Sequence, residues 1–166
     1  MGCGDSLLIH NACGCLEVFI MSKCSFFANT NSTKLSDKEK FCLYHKINYL
    51  VFMMDVREFY TWGNTEFDLF CISVLAQLKD TEEIKIFKIL KDNDTFDADE
   101  NPEYDDMIRV DSDDIASCSI QIADKSDFVM LDSIDDESYT FDIYLSTIMK
   151  AKKGKDVHLW ILEEKL

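Results

Sequence analysis

From Phe41 onward the apolar positions Phe41, Tyr44, Ile47, Leu50, Val51 and Met54 recur at intervals of three and four, with no glycine or proline among them. That is the period of a helix with a buried face. Ser36-Asp37-Lys38-Glu39 stands in front of the run as a capping box, in which the serine hydroxyl and the glutamate carboxylate each satisfy a backbone amide. The pattern predicts a long helix that continues through Val56–Trp62 and stops near Gly63. A second stripe, Phe67, Phe70, Cys71, Val74, Leu75 and Leu78, follows Asn64 or Thr65 as its cap. A shorter helix is predicted from Ile115 to about Ala123 behind Asp113 or Asp114.

The stripe Phe141, Tyr144, Leu145, Ile148 and Met149 has acids before it, with Lys150, Lys152, Lys153 and then Gly154 after it. Charge and glycine placement both suit a helix dipole and a glycine stop. They favour helix over the rival strand with Tyr139, Phe141, Ile143 and Leu145 on one side.

Other runs do not choose. Glu83 to Ile89 alternates as a strand would, yet Ile84, Phe87 and Leu90 also share a helical face. The apolar runs at 128–134 and 157–162 are equally open, and residues 7–28 fit a strand pair or a short helix. Residues 29–35 read as a polar loop.

Composition tips the balance. With one Pro and five Gly in 166 residues, there is little punctuation for many tight turns. The expected fold is mainly α: one domain over residues 1–166, a compact helical bundle, with α+β as the alternative. Its flanking features are a Cys-rich segment, 1–35, and an acidic loop, 92–114, which holds the only proline, Pro102.

Charge narrows the partners. A formal net charge of −15 repels phosphate backbones and argues against direct nucleic-acid binding. It suits a basic protein partner. The candidate interface comprises Asp97, Asp99, Glu100, Glu103, Asp105 and Asp106 of the acidic loop, with Phe59, Tyr60 and Trp62 as aromatic anchors.

Site chemistry is sparse. A calcium loop beginning at Asp97 would need glycine at its sixth position and glutamate at its twelfth, where Pro102 and Ile108 stand. Cys3, Cys13, Cys15 and Cys24, near His10, offer only one close pair, around Gly14, and read as free or buried thiols. There is no zinc-hydrolase histidine pair, nucleophile elbow, P-loop or dinucleotide glycine pattern. The expectation is therefore no enzyme, no metal and no cofactor. Seven cysteines without a secretory signal point to a reducing, cytoplasmic compartment, and no apolar run is long enough to span a membrane. The opening Met-Gly-Cys-Gly-Asp-Ser fits N-myristoylation at Gly2 with a second acyl site at Cys3, so a lipid anchor stays open, as does a homodimer.

Three stretches resemble a known family. Val56 to Asn64 resembles the acidic-aromatic segment ending in tryptophan of the poxvirus Bcl-2-like proteins. Phe87 to Asp94 is similar to that family's amphipathic helix running into an acidic turn, and Leu159 to Leu166 to its last helix. The resemblance implies a helical bundle and a non-enzymatic inhibitor in the host cytoplasm, a viral immune-evasion protein that occupies host innate-immune or apoptotic signalling proteins. The charged end, Glu163-Glu164-Lys165-Leu166, tilts this towards signalling. The alternative is an acidic immunity or DNA-mimic protein that neutralises a basic toxin or nuclease, supported by the acidic loop.

Overall fold

The structure, a computed structural model, describes residues 6–10, 16–29 and 34–163. It overturns the helical bundle. Strands β1 (Ser6–His10) and β2 (Leu16–Ile20) pair antiparallel as a two-stranded ribbon. The rest alternates strand and helix: β3 (Ser22–Phe27), α1 (Asp37–Phe52), β4 (Val56–Thr61), α2 (Glu66–Leu78), β5 (Lys85–Lys91), β6 (Asp106–Val110), α3 (Ile115–Asp124), β7 (Phe128–Ser133), α4 (Tyr139–Lys152) and β8 (His158–Glu163). The last six strands form one sheet in the order β6-β5-β4-β3-β7-β8, with every pairing parallel. This is a doubly wound α/β architecture, neither the expected bundle nor the α+β alternative, and the Bcl-2-like fold does not apply to it.

The predicted long helix is two elements. Its amino end is as expected: the Ser36 hydroxyl accepts from the Glu39 amide at 3.2 Å, while the Glu39 carboxylate accepts from the Ser36 amide at 2.7 Å. The helix stops at Phe52, and the chain then turns through Asp55 at φ 54. Aspartate tolerates that left-handed conformation better than most residues, so neither glycine nor proline marks the break. Residues 56–61 then run as a strand whose two faces are both covered. Val56 and Phe59 join one core cluster; Tyr60 and the adjoining Trp62 join the other. A strand buried on both sides has no polar alternation, so it continues the apolar run of the helix before it.

The open runs resolve the same way. Residues 85–91, 128–133 and 158–163 are central or edge strands. The helices predicted behind Asn64 or Thr65, behind Asp113 or Asp114 and around Phe141 to Met149 are present, capped by Thr65, Asp114 and Ser138, and Gly154 follows the last at φ 80.

Two core layers flank the sheet. One joins Leu43, Ile47 and Leu50 of α1 and Phe67, Cys71 and Leu75 of α2 to Cys24, Phe26, Phe59, Ile86 and Met130 of the sheet. The Phe26 and Phe59 rings stack with centroids 5.7 Å apart. The second joins Cys118 and Ile122 of α3 and Ile143 of α4 to Phe27, Tyr60, Ile89, Val129 and Leu131. The winding produces this division: the chain runs outward from β3 to β6 over one face, then returns to β7 and β8 over the other.

The acidic stretch is an exposed crossover that side chains of its neighbours hold in place. Between β5 and β6 no helix forms, and residues 92–105 make the return themselves. Lys79 Nζ holds the Glu103 carbonyl at 3.2 Å and the Asp105 carboxylate at 2.6 Å. Asp105 in turn accepts from the Ile86 amide at 2.8 Å. Arg109 donates to the carbonyls of Lys91, Asp92 and Asp94 at 3.0, 2.8 and 2.6 Å. Phe96 and Tyr104 pack edge to face beneath the loop. No described helix is long and apolar enough to cross a membrane.

Candidate functional site

In an open α/β sheet the winding direction reverses between two neighbouring strands, and the connections leaving their carboxyl ends part to opposite faces. The crevice this opens is where such folds take ligands. Here the pair is β3 and β7. The chain leaves β3 towards α1 on one face and leaves β7 towards α4 on the other.

Polar side chains concentrate at this point. Just past β3, the Asn29 amide donates to Asp132 Oδ1 at 2.8 Å, and its side-chain Nδ2 donates to Asp135 Oδ2 at 2.9 Å. These bonds tie the end of β3 to the end of β7 across the crevice. Asn29 and Asp132 are buried, as is Ser133 beside them. At the next strand end, Thr65 caps α2 by accepting from the Asp68 amide at 3.1 Å, and Asp68 Oδ2 accepts from the Asn64 amide at 3.3 Å.

Asp68 is only 1% exposed, and its Oδ1 has no partner in hydrogen-bonding geometry among the described residues. Burial lifts its pKa to about 6. The Thr65 and Thr61 hydroxyls and the Asn64 and Thr65 amides work against that rise. At the start of α4, Thr140 is fully buried, and its Oγ1 likewise has no partner among the described residues. Tyr139 connects the two sides. Burial raises its pKa, and so do the nearby charges of Asp68 and Asp132, while an Ala28 backbone hydrogen bond opposes them.

A buried polar atom without a partner costs on the order of 1–3 kcal/mol. Two such atoms beside the sheet's switch point mark a place that a bound molecule or ordered water completes. Among the described residues no group of three or more His, Cys, Asp or Glu is arranged to hold a metal ion. Open grooves of about 350 and 430 Å³ lie elsewhere, lined around Trp160 and around Met149. Neither is lined by a buried polar atom that lacks a partner.

Of the residues singled out in the sequence, Phe59 and Tyr60 lie in β4 and Trp62 just past its carboxyl end, while the acidic residues lie between β5 and β6 or at the start of β6. Phe59 is fully buried, and Tyr60 and Trp62 are each 7% exposed. All three serve packing: Tyr60 donates to Glu58 at 2.6 Å, and Trp62 Nε1 donates to Ser119 at 2.9 Å. Asp97, Asp99 and Glu100 are exposed on the crossover and Asp106 at the start of β6, with Glu103 half-buried and Asp105 engaged by Lys79. Gly2, Cys3, Cys13 and Cys15 lie outside the described residues. Cys24 is a buried thiol whose pKa burial raises, which suits packing rather than reactivity.

Asn29, Asp68, Asp132 and Thr140 were not singled out by sequence reading. Asn29 and Asp132 are 103 residues apart, so no local spacing relates them. The one available signal is a polar residue ending an apolar run, as in Phe26-Phe27-Ala28-Asn29 and Val129-Met130-Leu131-Asp132.

The sequence matches no family profile and no curated protein. Among solved structures, the X-ray structure of TM1055, a Northeast Structural Genomics Consortium target, is similar. The TM-score is 0.49 and the identity 12%, over 87% of this chain and 95% of that one.

Proposed function

We propose that the protein works by binding a small polar molecule at the carboxyl ends of β3, β4 and β7. The observation that carries this reading is the pair of buried, unpartnered atoms, Asp68 Oδ1 and Thr140 Oγ1, at the switch point. Both are closed off from bulk water. The test is a thermal-shift screen of nucleosides, sugars, amines, amino acids and phosphorylated metabolites. Hits are then mapped by amide chemical shifts. Hits that move residues 28–29, 61–68 and 132–140 support the site; hits that map only elsewhere, or none at all, overturn it.

A second reading has its own observation. Asp97, Asp99 and Glu100 are exposed on a crossover that Lys79 and Arg109 hold in place, with Asp106 exposed at the start of β6. A fixed array of carboxylates suits a non-enzymatic inhibitor that covers a basic protein. Under this reading, a triple change of Asp97→Asn, Asp99→Asn and Glu100→Gln weakens capture of a basic target at least tenfold. The wild-type affinity also falls steeply as salt rises. Equal capture by the triple variant rules it out.

A further inference from the structure

Resting on the reading of the crevice as a ligand site, we infer that it takes a polyhydroxylated, uncharged ligand, such as a free or nucleoside-borne sugar, and turns away phosphate. Three features of the site argue for this.

The first is the chemistry of its side chains. Asp132 and Asp135 are engaged there by Asn29, and Asp68 of α2 acts with Asp132 on Tyr139. An ionised carboxylate only accepts hydrogen bonds, so it calls for O–H or N–H groups on whatever it meets. Asp68 has no ion pair among the described residues to offset its charge, and its Oδ1 is the open acceptor. Thr140 Oγ1 can both donate and accept, which matches a hydroxyl as partner.

The second is what has become of the usual phosphate cradle. In sheets of this kind an anion sits on free amides at a helix N-terminus. Here one amide in the first turn of each of three helices is already taken by the chain's own side chains. Ser36 and Glu39 bond each other's amides at α1, Thr65 holds the Asp68 amide at α2, and Ser138 accepts from the Thr140 amide at α4. A phosphate at α2 would also face the Glu66 and Asp68 carboxylates of its first turn.

The third is the turn itself. Close backbone approach to a pyrophosphate needs glycine in the connection after the first strand. Residues 28–36 contain none. The turn after β4 has one, Gly63, but the space beside its Cα is already taken by the Tyr104 hydroxyl.

The test titrates the full chain with ribose, glucose, adenosine, 2′,3′-dideoxyadenosine, adenosine monophosphate and inorganic phosphate. Amide shifts are followed at 28–29, 61–68 and 132–140. The expected result is saturable binding of a sugar or nucleoside there. Loss of the vicinal hydroxyls, or addition of the phosphate, should weaken it at least tenfold. Asp68→Asn and Thr140→Val, each checked for folding by its amide spectrum, should each weaken it about tenfold. If phosphate or the monophosphate binds in the crevice as tightly as the nucleoside, the inference falls while the crevice stands as a ligand site. The same holds if the dideoxy compound equals adenosine. If no member of the panel shifts these residues, both fall.

Discussion

Gly63→Ala should destabilise the protein by roughly 3–5 kcal/mol, read as a fall in the urea midpoint with unchanged slope. Two costs combine. Gly63 sits at φ 73, where a side chain brings about 1–2 kcal/mol of strain. An added Cβ would also stand 1.8 Å from the Tyr104 hydroxyl, so one of them must move. Tyr104 is poorly placed to yield. It is 7% exposed, packed edge to face on Phe96, with Lys88 Nζ 4.9 Å from its ring centroid.

The partner variant separates the two costs. Tyr104→Phe removes a buried hydroxyl that has no partner among the described residues, so it should be close to neutral alone. Combined with Gly63→Ala it should recover most of the steric share, since only the ring's Cζ then stands 3.1 Å from the added Cβ, and leave the backbone strain of about 1–2 kcal/mol. A single variant that costs under about 1 kcal/mol, or a double variant no better than the single, would show that Tyr104 does not occupy the turn.

Asp68→Asn should remove a fall in stability that the wild-type protein suffers between about pH 4 and pH 6. Asp68 titrates near pH 6 in the folded chain, against 3.8 ordinarily. The folded state therefore holds the proton over a range where the unfolded chain has released it. Since the folded state binds more protons there, stability declines as pH rises through that window and levels off above it. About two pH units at about 1.4 kcal/mol each amount to roughly 3 kcal/mol.

The groups facing Asp68 leave that window clear. Burial raises the pKa of Tyr104 from the crossover, of Tyr139 from α4 and of Cys71 from α2, so all three stay neutral through it. Asp132 of β7 is common to both proteins, so the difference between wild-type and variant curves isolates Asp68 to first order. Urea denaturation at intervals from pH 4.5 to 7.5 supplies both curves, and parallel profiles would refute the assignment.

Both predictions concern the turn after β4, which the sequence had placed at the end of a long helix. The misreading has a physical origin. A helix face and a strand buried on both sides are each runs of apolar residues, and periodicity separates them only where one side of the strand is wet. Residues 56–61 have no wet side, and Asp55 supplies the break without the residues that usually signal one. Where the surroundings were asymmetric, the helices were legible: α2 and α3 each bury one face behind a polar cap the sequence offered, whereas α4 was legible as a helix but starts at Ser138, buries Thr140, Ile143 and Thr147, and leaves the expected Leu145 and Met149 exposed. The acidic tract was legible as an exposed connection but not as one that its neighbours hold in place. Its anchors, Lys79 and Arg109, act through contacts that composition does not encode.

Local chemistry is what the amino-acid sequence determined by itself: the capping box at Ser36, the cap at Asp114, the stop at Gly154 and the strongly acidic character of the chain. Each of these rests on residues within a turn of one another, or on a simple sum of charges. Which runs became strands, the reversal between β3 and β7, and the meeting of Asn29 with Asp132 and of Asp68 with Tyr139 were decided only by the tertiary structure. A parallel sheet brings together segments separated by whole crossovers, and its strand order is set by how helices cover both faces at once. No window along the chain carries that information, and the crevice exists only once the sheet has closed around it.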